Sequence, residues 1–392
     1  MLRDCSSTEL AARLHLERER LPYEGLIELT YRCNLQCAHC YVNLPMQAPE
    51  RADELRGERL VRLVGEIAEA GGLFLTLSGG EALAREDFPE VYLQALQAGL
   101  IVSVFTNGTL VTERVADLFD EHRPQLVEIT LYGASRETYE RVTGVPGSYD
   151  RCMSGVRRLK DRGLDVRLKT MVLAWNAHEV VEMQALADEL GVPFRFDGEL
   201  NPRVDCGASR YQDLQLSAED LISLEGRMPN RHDETRATMG PRREVARGSV
   251  DLYECGAGQT GYTIDARGRL LLCELSRKNG IDLHTTPFGE AWKQLATFRL
   301  GELSPDSPCR GCDLRPLCGS CAGANELESG DAQRPVTVFC QIAHRRAAVL
   351  WGENSAHRAD ASCCLPRHPV QGQARNGLIQ IGRAARRSPP AP

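Results

Sequence analysis

The segment YRCNLQCAHCYV places Cys33, Cys37 and Cys40 on one short loop, three residues and then two apart. Three thiolates gathered in this way can each bind one iron of a 4Fe–4S cube, leaving the fourth iron open to chemistry. Zinc is the competing metal, and His39 offers it a fourth ligand. Zinc sites, however, are commonly built from paired Cys-x-x-Cys knuckles, and this loop has unequal spacings. A larger gathering lies downstream: Cys255, Cys273, Cys309, Cys312, Cys318, Cys321 and Cys340, centred on the run CRGCDLRPLCGSC. Seven thiols there are a metal signal and suit two sites better than one. Zinc ribbons with no redox role would staple such a region equally well. The remaining cysteines, Cys5, Cys152, Cys206, Cys363 and Cys364, are read as small buried side chains or incidental thiols.

Between the two gatherings lie polar groups suited to holding a ligand. Ser78, Gly79, Gly80 and Glu81 follow an apolar run, where glycines allow close backbone approach and a carboxylate can accept from an ammonium group. Thr106 and Asn107 precede Gly108 in a second such position, for which a plain Asn-Gly turn is the simpler reading. Lys169 and Asn176 lie on and after a later strand. Tyr132, in ITLYG, and Glu274, directly after Cys273, are the acid–base candidates, against ordinary packing for the first and a solvated carboxylate for the second. No P-loop, HExxH or GxSxG occurs.

The elements that must position these groups alternate between 26 and 200. Strands are predicted at Leu26–Thr30, Phe74–Leu77, Ile101–Phe105, Val127–Tyr132, Val166–Leu173 and Pro193–Asp197. Leu60, Leu63, Val64 and Ile67 mark the core stripe of a helix that stops at Gly71-Gly72, and the other intervals repeat that plan. Six βα units imply an α/β fold with a parallel sheet and right-handed crossovers, open or curved into a partial barrel. Every ligand-type motif falls at a strand C-terminal end, where such sheets build their sites.

Residues 1–25 read as a lead-in helix, with Ser6 and Glu9 spaced as a capping box. Residues 201–254 read as a polar connection, 255–351 as a cysteine-dense module poor in periodic helix, and 352–392 as a disordered tail. With 392 residues and 42% hydrophobic side chains the chain can bury one large core and a smaller one. A net charge of −7 argues against nucleic-acid binding. There is neither a signal peptide nor a membrane span, so a cytoplasmic location is expected.

Cys-x3-Cys-x2-Cys after a first strand, followed by Tyr41, resembles the signature of the radical S-adenosylmethionine (SAM) superfamily. The resemblance implies a partial (β/α)6 barrel in which Cys33, Cys37 and Cys40 hold a 4Fe–4S cluster whose open iron binds SAM. Reduction then yields a 5′-deoxyadenosyl radical. It also implies that Ser78, Gly79, Gly80 and Glu81 contact the methionyl amine, that Thr106 and Asn107 lie near the ribose, and that Lys169 and Asn176 face cofactor or substrate. The downstream cysteines, with Gly268 ahead of Cys273, resemble a SPASM domain. That pattern implies one auxiliary 4Fe–4S cluster on Cys309, Cys312, Cys318 and Cys340 and another on Cys255, Cys273 and Cys321. The second set lacks a fourth cysteine, and two residues rather than three separate Cys318 from Cys321.

The function so implied is radical modification of a peptide, as in maturation of ribosomal peptides: thioether formation, carbon–carbon crosslinking, epimerisation or oxidation. Expected partners are a peptide or protein substrate, a reductant such as flavodoxin or ferredoxin, and a separate leader-recognition protein. Rival readings are formylglycine formation on a sulfatase, radical chemistry on a tetrapyrrole, and a cysteine-rich electron-transfer or zinc-stapled binding protein.

Overall fold

A computed structural model describes residues 20–205, 209–246 and 249–352. The lead-in residues 1–19, the tail from 353, and Cys5, Cys206, Cys363 and Cys364 lie outside these. The first half alternates as the sequence implies. Its strands are β1 (Glu24–Glu28), a two-residue pair β2 (Arg32–Cys33) and β3 (Leu44–Pro45), β4 (Phe74–Ser78), β5 (Ile101–Thr106), β6 (Leu126–Thr130), β7 (Val166–Met171) and β8 (Phe194–Asp197). Helices α1 (Gly57–Glu69), α2 (Phe88–Gln97), α3 (Glu113–Glu121), α4 (Arg136–Thr143), α5 (Ser148–Asp161) and α6 (Val180–Leu190) fill the intervals. The buried stripe of α1 is Leu60, Leu63, Val64 and Ile67, as its spacing dictates.

Strand order settles what composition left open. β1, β4, β5, β6, β7 and β8 lie side by side in sequence order, all parallel. Right-handed crossovers that always step the same way put every helix on one face, whereas a doubly wound sheet needs a reversal. The other face can be shielded only by curling inward, which makes a partial barrel. Burial follows this plan: along β5, Val102 and Val104 are buried while Ser103 and Phe105 are half-buried on the opposite face. That inner face carries charge. Glu128 is buried among Lys169 Nζ at 2.9 Å, Arg195 at 2.7 Å and Arg167 at 3.8 Å, and Lys169 also stands 4.0 Å over the Phe105 ring.

Two expectations need correction. Residues 201–254 are largely helical rather than a connection: α7 (Tyr211–Leu214), α8 (Ala218–Arg227) and α9 (Arg231–Ala246). The stretch reads as a linker because α9 is strongly polar and has Pro241 inside it. Its Arg243 forms a buried ion pair with Asp313 at 2.7 Å and lies over Trp351, so polar residues dock it. The cysteine-dense segment, in turn, is not a separate core. Its strands β9 (Gly261–Ile264), β10 (Arg269–Leu271) and β11 (Ile281–Asp282) extend the barrel sheet, with β9 parallel to β1. Tyr262, Ile264, Leu270, Phe288 and Trp292 belong to the main hydrophobic core. The segment also contains α10 (Phe288–Arg299), α11 (Ala322–Ser329) and the 15-residue α12 (Thr337–Trp351).

Candidate active site

The loop carrying Cys33, Cys37 and Cys40 is closed on itself, because β2 and β3 pair Arg32 with Leu44 and Cys33 with Pro45. The C-terminal end of α4 pins its middle: Gln36 N–H and Ala38 N–H donate to the Thr143 and Val142 carbonyls at 2.8 and 3.2 Å. Arg32 is anchored by two 3.0 Å bonds to the buried Glu54 carboxylate. The three thiols lie close enough to repel one another when ionised. Burial, then the charge of Glu81, pushes the Cys33 thiol up to about 12, and burial likewise raises Cys37 and Cys40. Bound metal would displace those protons. Burial pushes His39 down to about 4, so it is neutral, and it packs edge-on to Tyr132 at 5.1 Å.

Gly79 and Gly80 are required here by the protein's own backbone. A Cβ on either would collide with the carbonyl oxygens of Thr30, Tyr31 or Arg32, and Gly79 adopts φ 127°. Gly80 N–H and Glu81 N–H donate to Thr30 and Arg32 carbonyls at 2.6 and 2.9 Å, and the Ser78 carbonyl accepts from Leu29 N–H at 2.8 Å. The end of β4 is thereby sewn to the start of the cysteine loop. The Glu81 carboxylate is buried and already engaged. It accepts from Thr106 O–H at 2.7 Å, Asn107 N–H at 2.8 Å and Leu83 N–H at 3.0 Å. Burial still raises its pKa despite these bonds.

Asn107 reaches the thiol loop directly: its Nδ2 donates to Asn34 Oδ1 at 3.0 Å and to Cys33 Sγ at 3.6 Å. Tyr132 is also brought in, its hydroxyl beside the Cys37 sulfur. Lys169 stays on the inner barrel wall, paired with Glu128. Asn176 is fully buried and spent on backbone: its Oδ1 accepts Leu173 N–H at 2.7 Å, and its Nδ2 donates to the Met171 and Tyr132 carbonyls at 3.0 and 3.2 Å.

The sequence profile of the Radical SAM superfamily matches residues 27–187, the span from β1 to α6 that carries all of these groups. That span is a Radical SAM domain. The chain is 25% identical over 349 residues to an AdoMet-dependent heme synthase of Methanosarcina barkeri, covering 80% of this chain and 95% of that one. It is 26% identical over 315 residues to a PqqA peptide cyclase of Gluconobacter oxydans, covering 75% and 83%. Among solved structures, Streptococcus suis SuiB superposes with a TM-score of 0.63 at 16% identity over 82% of this chain and 78% of that one, which speaks to fold. SuiB has also been solved bound to its precursor peptide SuiA.

Downstream of the Radical SAM domain, several of the cysteines are brought near one another. Cys255, Cys273 and Cys321 lie within electrostatic reach of one another. Cys321 caps α11, its Sγ accepting from Ala324 N–H at 3.5 Å. Cys312 and Cys318 border a cluster of Leu314, Leu317, Ala343 and Ala347, which brings their loop against the helix bearing Cys340. Among the described residues no three His, Cys, Asp or Glu side chains converge as ligands of a single ion. A cube asks for a wider arrangement, since each thiolate binds its own iron. Glu274 accepts a 3.4 Å bond from Tyr41 O–H and so touches the first cysteine loop.

Sequence reading missed the group that joins these regions. Arg277 makes two 2.7 Å bonds to the buried Glu28 carboxylate on β1 and a 3.1 Å bond to Tyr31 O–H. Burial alone would lower the Arg277 pKa, but Glu28 outweighs it and raises it. The available signal was Glu28 itself, a carboxylate inside the strand EGLIE whose neighbours are buried.

Proposed function

We propose that this enzyme makes a radical-based modification of a peptide, of the thioether, carbon–carbon crosslink, epimerisation or oxidation type. Cys33, Cys37 and Cys40 would hold the SAM-binding 4Fe–4S cluster. That group supplies, with SAM and one electron from a low-potential donor such as flavodoxin or ferredoxin, the 5′-deoxyadenosyl radical that takes hydrogen from substrate. Glu81 orders the two loops beside the site, and the half-open charged barrel face offers room and polarity for a peptide. Cys309, Cys312, Cys318 and Cys340 would hold one auxiliary cluster, and Cys255, Cys273 and Cys321 another.

The observation that carries the reading is the sulfur-rich path itself: a three-thiol loop at the barrel mouth, joined through Tyr41–Glu274 and Glu28–Arg277 to a second thiol set. The precursor-bound state of SuiB and the peptide named in the PqqA peptide cyclase support the substrate class. The heme synthase relative favours a tetrapyrrole as the second reading. Anaerobic reconstitution should give about twelve irons per chain for three cubes, and dithionite with SAM should release 5′-deoxyadenosine. Short peptides encoded beside the gene are then tested for a mass change against an iron porphyrin. Turnover of the porphyrin alone would replace the first reading with the second; zinc in place of iron with no SAM cleavage would sink both.

A further inference from the structure

Two sulfurs of the first loop face donor groups whose orientation is fixed elsewhere. Leu35 N–H donates to Cys33 Sγ at 3.4 Å, and the Asn107 amide to the same sulfur at 3.6 Å. The amide cannot be turned over without loss, because its Oδ1 accepts Thr109 N–H at 2.9 Å. Tyr132 brings its hydroxyl beside the Cys37 sulfur. Its ring is held between His39 at 5.1 Å and Tyr139 at 6.1 Å, and Tyr139 is itself packed on Tyr149 at 5.6 Å. Tyr132 and Asn107 come from the ends of different strands, and both direct a donor at the loop sulfurs.

We infer that Tyr132 and Asn107 are positioning residues whose hydrogen bonds to Cys37 and Cys33 set the reduction potential of the cluster those cysteines hold. The inference rests on the assignment of that cluster to Cys33, Cys37 and Cys40. One-electron reduction, by a low-potential donor of the flavodoxin or ferredoxin class, adds one negative charge spread over irons and sulfurs. Donors aimed at sulfur stabilise the reduced form and raise its potential. The role replaces the acid–base one that sequence suggests for Tyr132, because its O–H faces sulfur. It also carries a trade-off: each added donor eases entry of the electron and weakens its drive to cleave SAM.

The test uses the full chain, reconstituted anaerobically, with Tyr132→Phe, which keeps the ring against His39 and Tyr139. Redox titration follows the component of the EPR signal that changes on adding SAM, which separates this cluster from any other. With unchanged iron content, the variant should show an about tenfold lower ratio of reduced to oxidised cluster at a fixed potential near the midpoint, a fall of about 59 mV for one electron. After exchange into deuterated water, the deuteron coupling seen by ENDOR in the parent should weaken. Asn107→Asp keeps the oxygen Thr109 needs, removes the donor, and should shift the midpoint the same way. An unmoved midpoint in both variants with full iron overturns the inference, as does a loss of iron in both with no shift in the remainder, which is what a packing role predicts. A parent protein with no SAM-responsive signal overturns the cluster assignment itself.

Discussion

Replacing Glu81 with alanine removes the carboxylate that ties the loop after β4 to the loop after β5. Two backbone donors, the buried Asn107 N–H and the half-buried Leu83 N–H, then lose their acceptor, while the Thr106 hydroxyl can turn elsewhere. An orphaned buried donor costs about 1–3 kcal/mol, so the pair costs about 2–6 kcal/mol. If the loops open rather than unfold the barrel, the ligand must restore their order on binding, and the cost appears in its affinity. The lower bound of about 2 kcal/mol is about 30-fold in the Kd for SAM. Glutamine in the same place keeps one oxygen. Whichever way its amide points, one of the two N–H groups still faces an acceptor, so the loss should be about half as large in free energy. Equilibrium dialysis of SAM against anaerobically reconstituted parent, Glu81→Ala and Glu81→Gln measures this, with iron content as control. Equal losses in the two variants would refute the reasoning, since a carboxylate that holds the methionyl ammonium directly would be needed for its charge. A change below about threefold in either would refute it as well.

Cys37→Ala should remove about four irons per chain and abolish 5′-deoxyadenosine release, whereas Cys312→Ala should also remove about four irons yet spare SAM cleavage; both are read by iron assay and chromatography. Arg277→Met leaves the Glu28 carboxylate buried and unpaired and should destabilise the protein by about 3–5 kcal/mol in chemical denaturation. Burial already holds the Glu28 pKa above its ordinary value with Arg277 present, and losing the arginine raises it further. Stability tied to a raised carboxyl pKa is fully present below the unfolded value and is lost as pH rises through the folded one. The deficit of Arg277→Met should therefore shrink between about pH 8 and about pH 5; a deficit that grows in acid contradicts this. Asn176→Ala should cost about 1–3 kcal/mol through the orphaned Leu173 N–H, with SAM affinity of the folded protein unchanged; selective loss of SAM binding would return Asn176 to the cofactor.

The six barrel strands were legible because each is an apolar run bounded by turns and followed by a helical stripe. The cysteine loop was legible because thiol spacing is chemistry written locally. β9, β10 and β11 were not, having four, three and two residues, too few for periodicity to register. Their place beside β1 is decided by partners more than 200 residues away in sequence, such as Glu24 with Gly261. The sequence singled out the glycines and Glu81 as ligand contacts, but it could not say what faces them. Gly79 and Gly80 accommodate backbone carbonyls, and Glu81 accepts from neighbouring loops. Asn176 teaches the same lesson, since a buried amide can serve a turn as well as a ligand.

A nine-stranded sheet that runs unbroken from β11 to β8 has no hinge between its ends. Because β9 lies directly against β1, and β1 feeds the three-thiol loop while β10 feeds Cys273, the span between those sulfur sites is fixed by hydrogen-bonded register. The two thiol-bearing loops are therefore held at one spacing by the sheet itself, and lengthening β9 or β10 by two residues would reset that distance.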